Sequence, residues 1–331
     1  MIATGFESES KKNILSTEDF LQLAVENLQY NMEILKSDIS IDFIGKKRGA
    51  IFLSFFIIII GIILFIVKDG LKLGIDFSGG TLIQLQFKEK VSIDKIRASF
   101  HQLGMGSSSI QQFGSDRDIL INAERFSEVL EDMNVTVKNQ LEKDFAPESF
   151  EVVRVEMVGP KVGRDLREKA ILSIFYALIG IIIYISWRFE FRFAVAAIIA
   201  LIHDILVTTA FFLLFDKEFS LPIIAAFLTI VGYSLNDTIV VFDRIRENLR
   251  KIRKKNFEHV INFSINQTLS RTILTSLTTL IVVLALFFLG GEVIHDFSFA
   301  LMIGVFVGTY SSIFIASPVL LVWEKQKQRK R

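Results

Sequence analysis

The sequence contains no cysteine and no early apolar segment of the kind that begins a signal peptide. Without cysteine, disulfides, thiol catalysis and Cys-ligated metal sites are excluded. The first 42 residues are polar and acidic, so we expect no cleaved signal sequence. The motifs HExxH and GxSxG and a pair of membrane aspartates are also missing, which disfavours an intramembrane enzyme. We therefore expect no catalytic residue, no metal and no cofactor.

Charged residues are scarce over long stretches and concentrated in short runs between them. Of the 331 residues, 51% are hydrophobic and 32 are phenylalanine. The mean hydropathy is +0.47, whereas a soluble domain of this length rarely needs so much apolar surface. A net charge of +1 says little about partners. The pattern indicates a chain that crosses a membrane several times.

Six segments are long and apolar enough to span a bilayer, which takes about 20 mostly apolar residues. The third is interrupted by His203 and Asp204, the fourth by Asn236 and Asp237, and Arg271 lies near the start of the fifth. The six predicted spans are Ala50 to Val67, Ala170 to Trp187, Phe193 to Phe215, Pro222 to Phe242, Leu269 to Leu289 and Phe297 to Trp323.

Positive charge separates the two sides of the predicted membrane. It is abundant before the first span, between the second and third, after the fourth and after the sixth, and it is sparse in the opposite loops. By the positive-inside rule both termini are expected in the cytoplasm. The residues concerned are Lys46, Lys47, Arg48, Arg188, Arg192, Arg244, Arg246, Arg250, Lys251, Arg253, Lys254, Lys255, Lys325, Lys327, Arg329, Lys330 and Arg331.

The loop between the first two spans is large enough to be a domain on the far side of the membrane. Thr81–Phe87 alternates apolar and polar residues, as a half-buried strand does, and Ser92 is a candidate N-cap. The order β-α-β-β-α-β predicts a ferredoxin-like sandwich. Its predicted elements are strand Thr81–Phe87, helix Ile93–Leu103, strands Ile110–Phe113 and Ile119–Asn122, helix Phe126–Phe145 and strand Phe150–Met157.

The predicted fold is an α-helical membrane protein of six transmembrane helices with a ferredoxin-like α+β periplasmic domain. We divide it into an N-terminal extension (1–48), the first span (49–67), the periplasmic domain (68–169), spans two to six (170–323) and a basic tail (324–331). Within the extension, the pattern predicts an amphipathic helix from Ser16 through Ile34. That helix either packs on its own protein or docks a partner.

Ionisable residues inside the predicted spans are the strongest functional signal. A charge at the bilayer centre costs roughly 2.5–3.5 kcal/mol on insertion scales, so such residues persist when they are paired or used. Asp237 and Arg271 lie on antiparallel neighbouring spans, and we expect them at similar depth. The Asp237 carboxyl group is then either ionised and paired with Arg271, or protonated and no longer paired with it. The alternative is a static ion pair that holds two helices together.

Polar neighbours extend this candidate site. Ser234 and Asn236 precede Asp237, while Gln267 and Thr275 lie four residues on either side of Arg271, on one helical face. Such a face suits a wetted path, but interhelical hydrogen bonding needs the same residue types. In the third span, His203 and Asp204 either join a proton relay or simply pair with each other.

Several motifs resemble the SecF group of the SecD/SecF protein-export family, in the family's order. Gly74–Thr81, with Asp76, Gly79 and Gly80, is similar to its GIDFxGG signature, although the two glycines also suit a plain turn. The other matching segments are Val158–Gly163, Leu201–Asp204, Ser234–Asn248 and Asn266–Thr272. The resemblance covers roughly Arg48 to the C-terminus, and about 40 residues precede it.

This resemblance implies a half of an RND-type assembly. It implies a subunit that pairs with SecD, works with the SecYEG channel and indirectly with the SecA motor, and uses the proton motive force to assist late preprotein translocation. Lipids and the preprotein are further implied partners, YajC and YidC are additional candidates, and nucleic acid is not expected. It places the chain in the bacterial inner membrane and assigns proton coupling to Asp237 and Arg271.

Two other hypotheses stay open at this point. An RND-type exporter of small molecules or lipids usually has twelve spans in one chain, so this chain would need a partner. A structural membrane scaffold would use the Asp237–Arg271 pair only to hold its helices together.

Overall fold

The computed structural model describes residues 40–106, 108–113, 115–123, 130–146, 148–252 and 256–329. The amphipathic helix predicted between Ser16 and Ile34 lies outside these residues. In the part described, six helical segments are long and apolar enough to cross a membrane, as the sequence predicted. The chain is therefore a multi-pass membrane protein.

The spans are longer helices than the apolar segments alone indicate. The second begins ten residues before its predicted start, because a helix continues into water wherever its polar residues are solvated. The first five are helices α1 (Lys47–Val67), α5 (Pro160–Arg188), α6 (Phe191–Leu214), α7 (Leu221–Lys251) and α8 (Phe257–Leu289). The bilayer boundary therefore cannot be read from where a helix ends.

The sixth span is irregular. It consists of α9 (Glu292–Ser311), a π-helical turn over Ser312–Ala316, and α10 (Ser317–Arg329). The Ser317 hydroxyl donates to the carbonyl oxygen of Ser312 at 3.0 Å. A π turn inside a helix costs regular hydrogen bonding and often marks a functional position.

A four-stranded antiparallel sheet lies between the first and second spans. Its strands are β1 (Gly80–Phe87), β2 (Ser109–Phe113), β3 (Ser115–Ala123) and β4 (Phe150–Val158), with helices α3 (Ile93–Gln102) and α4 (Leu130–Asp144); a short helix α2 (Ile75–Ser78) precedes β1. The strand order β2-β3-β1-β4, together with the two helices, is that of a ferredoxin-like sandwich, and the prediction is confirmed.

The core of this sheet domain follows from the alternation seen in the sequence. Ile83 and Leu85 on β1 are fully buried, and they pack with Ile96 and Phe100 of α3. Ser92 does occupy the N-cap position of α3, but its side chain makes no capping hydrogen bond, which corrects the expected cap.

Spans three, four and six form the centre of the bundle, with half or more of their apolar windows buried, while spans one, two and five lie outside. Two glycines let the sixth span approach the fourth. A Cβ added at Gly304 would lie 2.2 Å from the side chain of Ile230, and one at Gly308 would lie 2.9 Å from Ser234 Cβ. Small residues in this i, i+4 spacing are a common way to bring membrane helices together.

The end of the bundle opposite the sheet domain is tied together by polar side chains of span five. Glu258 pairs with Lys47 at 2.6 Å and with Lys325 at 3.2 Å. The side-chain oxygens of Asn262 and Asn266 accept hydrogen bonds from backbone N–H groups of residues 41–44. The segment before the first span is therefore held against the fifth span by hydrogen bonds.

Candidate functional site

Asp237 is a buried carboxylate in the middle of the bundle. It is only 2% exposed, and its Oδ2 accepts long hydrogen bonds of 3.4 Å from Ser276 on span five and Thr309 on span six. These two hydroxyls are 2.6 Å from each other. The carboxylate is therefore surrounded by neutral donors that can stay in place whether or not it carries a proton.

Arg271 does not form the expected pair. The described residues contain no ion pair between Arg271 and Asp237, although the guanidinium still exerts a Coulombic attraction on the carboxylate. The reason is register: Asp237 lies level with Ser276, which is five residues and about 7.5 Å further along span five. The arginine side chain is exposed on the outside of the bundle, so the predicted matching depth is wrong for this conformation.

His203 and Asp204 form a second buried polar cluster, in which the two side chains contact each other directly; the sequence had left open whether they pair or join a proton relay. His203 Nδ1 lies 2.9 Å from Asp204 Oδ1, and Asp204 is 1% exposed. The other carboxylate oxygen accepts hydrogen bonds from Ser234 at 2.5 Å and Ser311 at 2.8 Å. Three spans therefore meet at Asp204.

The cluster continues into the first span. His203 Nε2 lies 2.9 Å from Ser54 Oγ, which is 3.0 Å from the hydroxyl of Tyr310. The Tyr310 hydroxyl donates to the carbonyl oxygen of Ala50 at 2.6 Å, and its ring stacks on His203. The histidine therefore connects spans one, three and six through hydrogen bonds.

The two carboxylate clusters lie one helical turn apart. Ser234 and Asp237 are i and i+3 on span four. Thr309 and Ser311 are two residues apart on span six, so each helix contributes to both clusters. Gly308, which directly precedes Thr309, is the position at which span six packs closely against Ser234 of span four. A shift of span six against span four would change both sites together.

The other predicted support residues take different positions. Asn236 is exposed on the bundle surface. Gln267 accepts a hydrogen bond from buried Asn248 at 2.8 Å, which joins spans four and five. The Thr275 hydroxyl bonds to the carbonyl oxygens of Arg271 and Thr272 within its own helix. Of the predicted neighbours, only Ser234 takes part in the buried clusters, and it contacts Asp204 rather than Asp237.

Sequence reasoning missed five hydroxyl-bearing residues that complete the clusters. One signal was available: four consecutive polar residues, Thr309 to Ser312, interrupt an otherwise apolar span. The remaining two are Ser54, a single hydroxyl in an apolar run, and Ser276, which directly follows Thr275; both resemble ordinary helix-packing residues. The missed residues are Ser54, Ser276, Thr309, Tyr310 and Ser311.

The glycine motif joins the sheet domain to span four. Gly79 has φ +74, and a Cβ there would lie 2.9 Å from Pro160 Cα, so glycine is needed for both conformation and space. Asp76 has a role that the motif alone did not indicate: its Oδ2 accepts from the backbone N–H of Leu221 at 2.8 Å, at the first turn of α7. The Phe219 backbone pairs with Lys72 and Gly74.

Replacing Asp76 tests this cap. In Asp76→Ala the first turn of α7 loses a carboxylate acceptor, which typically costs about 0.5–2 kcal/mol. We expect a lower melting temperature of the purified chain and faster hydrogen exchange at Leu221. Asp76→Asn retains an acceptor and should restore most of the loss. If both variants have the melting temperature and the Leu221 hydrogen exchange of the parent, Asp76 does not cap α7.

Comparisons with known proteins agree with this architecture. Residues 137–326 match the family described as protein export membrane protein SecD/SecF, C-terminal, and residues 64–91 match the SecD/SecF GG motif. The chain is 46% identical to the protein translocase subunit SecF of Calditerrivibrio nitroreducens, over 90% of this chain and 99% of that one. It is 51% identical to the SecF subunit of Desulfurispirillum indicum, over 77% and 82%.

Solved structures give the same relationship. The crystal structure of SecDF, a translocon-associated membrane protein from Thermus thermophilus, superposes with a TM-score of 0.81 at 35% identity, over 93% of this chain and 42% of that chain. A SecDF structure in a super-membrane-facing form gives a TM-score of 0.64 at 36% identity, over 95% and 43%. The chain thus spans less than half of the SecDF chains. It belongs to the SecD/SecF family of protein-export membrane proteins, as a relative of the SecF translocase subunits.

Proposed function

We propose that this subunit assists protein export by coupling proton movement to a change in helix packing around Asp237. The observation that carries the proposal is a 2% exposed carboxylate held by two hydroxyls. Arg271 is near enough to attract it, but the two form no ion pair among the described residues. An ionised carboxylate without a charged contact is costly in a membrane interior, so protonation favours this arrangement. Loss of the proton favours a different one, in which Arg271 reaches the carboxylate.

The exposed position of Arg271 supports a partner on that side. An arginine on the outside of a lone bundle would face lipid, which is costly. The chain spans only 42% of a SecDF relative, so a second six-span subunit of the SecD kind would cover part of this surface. We extend the proposal to the SecYEG channel, SecA and the preprotein as functional partners, with YajC and YidC as candidates, and to a role without enzymatic activity.

Reconstitution tests this function directly. Vesicles that contain the channel, its motor and a SecD subunit should translocate a preprotein faster when this chain is present and a proton gradient is applied. Collapsing the gradient with an ionophore should remove the gain. A gain that is the same with and without the gradient would exclude proton coupling. For the exporter alternative, deletion would instead cause drug sensitivity with normal secretion.

We also propose that the sheet domain lies outside the inner membrane and that both termini are cytoplasmic. Single-cysteine labelling tests this without any background mutation, because the chain has no cysteine. Lys90→Cys in the sheet domain and Lys251→Cys at the end of α7 are a matched pair, with side chains 72% and 67% exposed. A membrane-impermeant maleimide applied to spheroplasts should label the first, and the second only after permeabilisation. The reverse pattern would overturn the orientation.

A further inference from the structure

The hydrogen-bond network around His203 fixes where its protons must be. It runs from Ala50 through Tyr310 and Ser54 to His203 and then to Asp204, with contacts of 2.6–3.0 Å. Each hydroxyl has a single proton to donate, and a carbonyl oxygen can only accept. The direction of every bond in the network therefore follows from its fixed end at Ala50.

The donor and acceptor of each bond can be assigned in turn, starting from the carbonyl oxygen of Ala50, which can only accept. Tyr310 must donate to it across 2.6 Å, so the Tyr310 oxygen can only accept from Ser54 at 3.0 Å. Ser54 has then used its one proton and can only accept from His203 Nε2 at 2.9 Å. Nε2 of His203 therefore carries a proton.

The remaining ring nitrogen faces the carboxylate. Nδ1 lies 2.9 Å from Asp204 Oδ1, and two bare acceptors at that distance would repel each other, so a proton lies between them. The pair is then imidazolium with carboxylate, or neutral imidazole with carboxylic acid, and both have zero net charge. We propose that His203 and Asp204 together form a second proton-binding site, distinct from Asp237, which holds one proton in this helix arrangement.

The surroundings of the pair are neutral, which favours the loaded form. His203 is 6% and Asp204 1% exposed, and no lysine or arginine among the described residues lies within ion-pair distance of Asp204. The titratable groups nearby are Tyr310 on span six and Asp237, which lies one turn beyond Ser234 on span four. The side chain that span one places against the pair is Ser54, which does not titrate. Without the proton the site would hold an uncompensated buried negative charge.

Loss of the proton would rearrange contacts between helices. His203 would keep a proton on Nδ1 to bond the carboxylate, and Nε2 would then accept from Ser54. Tyr310 has only one proton to donate, so either the Ser54–Tyr310 contact or the Tyr310–Ala50 contact would no longer be a hydrogen bond. Both join span one to span six just before the π turn at Ser312–Ala316. Unloading would thus weaken the packing of these spans.

Nitrogen-15 spectra of histidine-labelled full-length protein in lipid bilayers test this site. The functional importance of the site rests on the proposed proton coupling, but its existence does not, because this measurement involves no translocation. The chain has four histidines, and His203→Gln identifies the relevant signals. We expect a protonated Nε2 for His203 at neutral pH, and the same spectrum in Asp237→Asn. A bare Nε2 in the parent would overturn the proposal.

Two further variants keep the test independent of folding failure. Acid–base titration of purified protein should release one proton fewer per chain from Asp204→Asn than from the parent, while equal counts would overturn the site. Ser54→Ala removes the acceptor of Nε2–H, so the Nε2 signal should move while the Nδ1 signal stays. If neither signal moves, His203 is not held by this network and the assignment fails.

Discussion

Asp237→Asn should abolish the increase in preprotein translocation that a proton gradient produces, while the protein still folds and accumulates normally. Asparagine has the shape of aspartate and retains an oxygen that can accept from Ser276 and Thr309. It cannot take up or release a proton. The variant is therefore fixed in the neutral condition, and the helix arrangement that needs an ionised carboxylate is no longer reached.

The expected magnitude is a loss of the whole gradient-dependent part of the rate, measured in reconstituted vesicles with and without an ionophore. Glu190→Gln is a suitable control, since the Glu190 side chain is 63% exposed, where an ion pair contributes little, and Arg192 keeps its second ion pair with Glu324. It should translocate like the parent. A normal gradient response in Asp237→Asn, at normal protein levels, would contradict proton coupling at this residue.

Gly308→Leu should destabilise the bundle and disrupt both carboxylate clusters. A Cβ at this position would lie 2.9 Å from Ser234 Cβ, closer than real Cβ contacts, and 3.2 Å from Ser234 Cα, tighter than most of them. The larger side chain would force span six away from span four, and overpacking of this kind typically costs about 1–3 kcal/mol. Ser234 and Ser311 would then no longer both reach Asp204.

We expect a clear fall in the melting temperature of the purified chain and loss of the gradient response. Gly180→Leu provides the matched control, because nothing lies within 4 Å of a Cβ at Gly180 on span two. That variant should melt close to the parent. If the Gly308 and Gly180 variants melt at the same temperature, close helix approach at Gly308 does not hold the clusters together.

The fold was largely predictable because it depends on local patterns. Apolar runs of sufficient length gave the spans, and the alternation in Thr81–Phe87 gave a strand whose alternate residues, Ile83 and Leu85, are buried. The helix ends were less predictable. The predicted start of α5 was ten residues too late, because the polar first turns of this helix, from Pro160 onward, lie outside the apolar run that hydropathy detects.

The site was predictable only in part, because its contacts depend on helix register and on distant parts of the chain. Asp237, His203 and Asp204 stand out as ionisable residues in apolar helices. Their partners do not: Thr309 reaches Asp237 across 72 positions, and Asp76 caps Leu221 across 145. Spans four and five run antiparallel, so Arg271 was expected beside Asp237, but Asp237 lies level with Ser276, five residues further along span five.

Proton coupling through Asp237 and Arg271 is tested by the double variant Asp237→Leu, Arg271→Leu, assayed for translocation with and without a proton gradient. If the two residues serve only to hold helices together, in an arrangement where they do pair, two leucines can replace that pair and function remains, because a buried ion pair often tolerates such replacement. Proton coupling predicts a folded protein in which the gradient no longer increases the translocation rate. A double variant that still responds to the gradient as the parent does would contradict it.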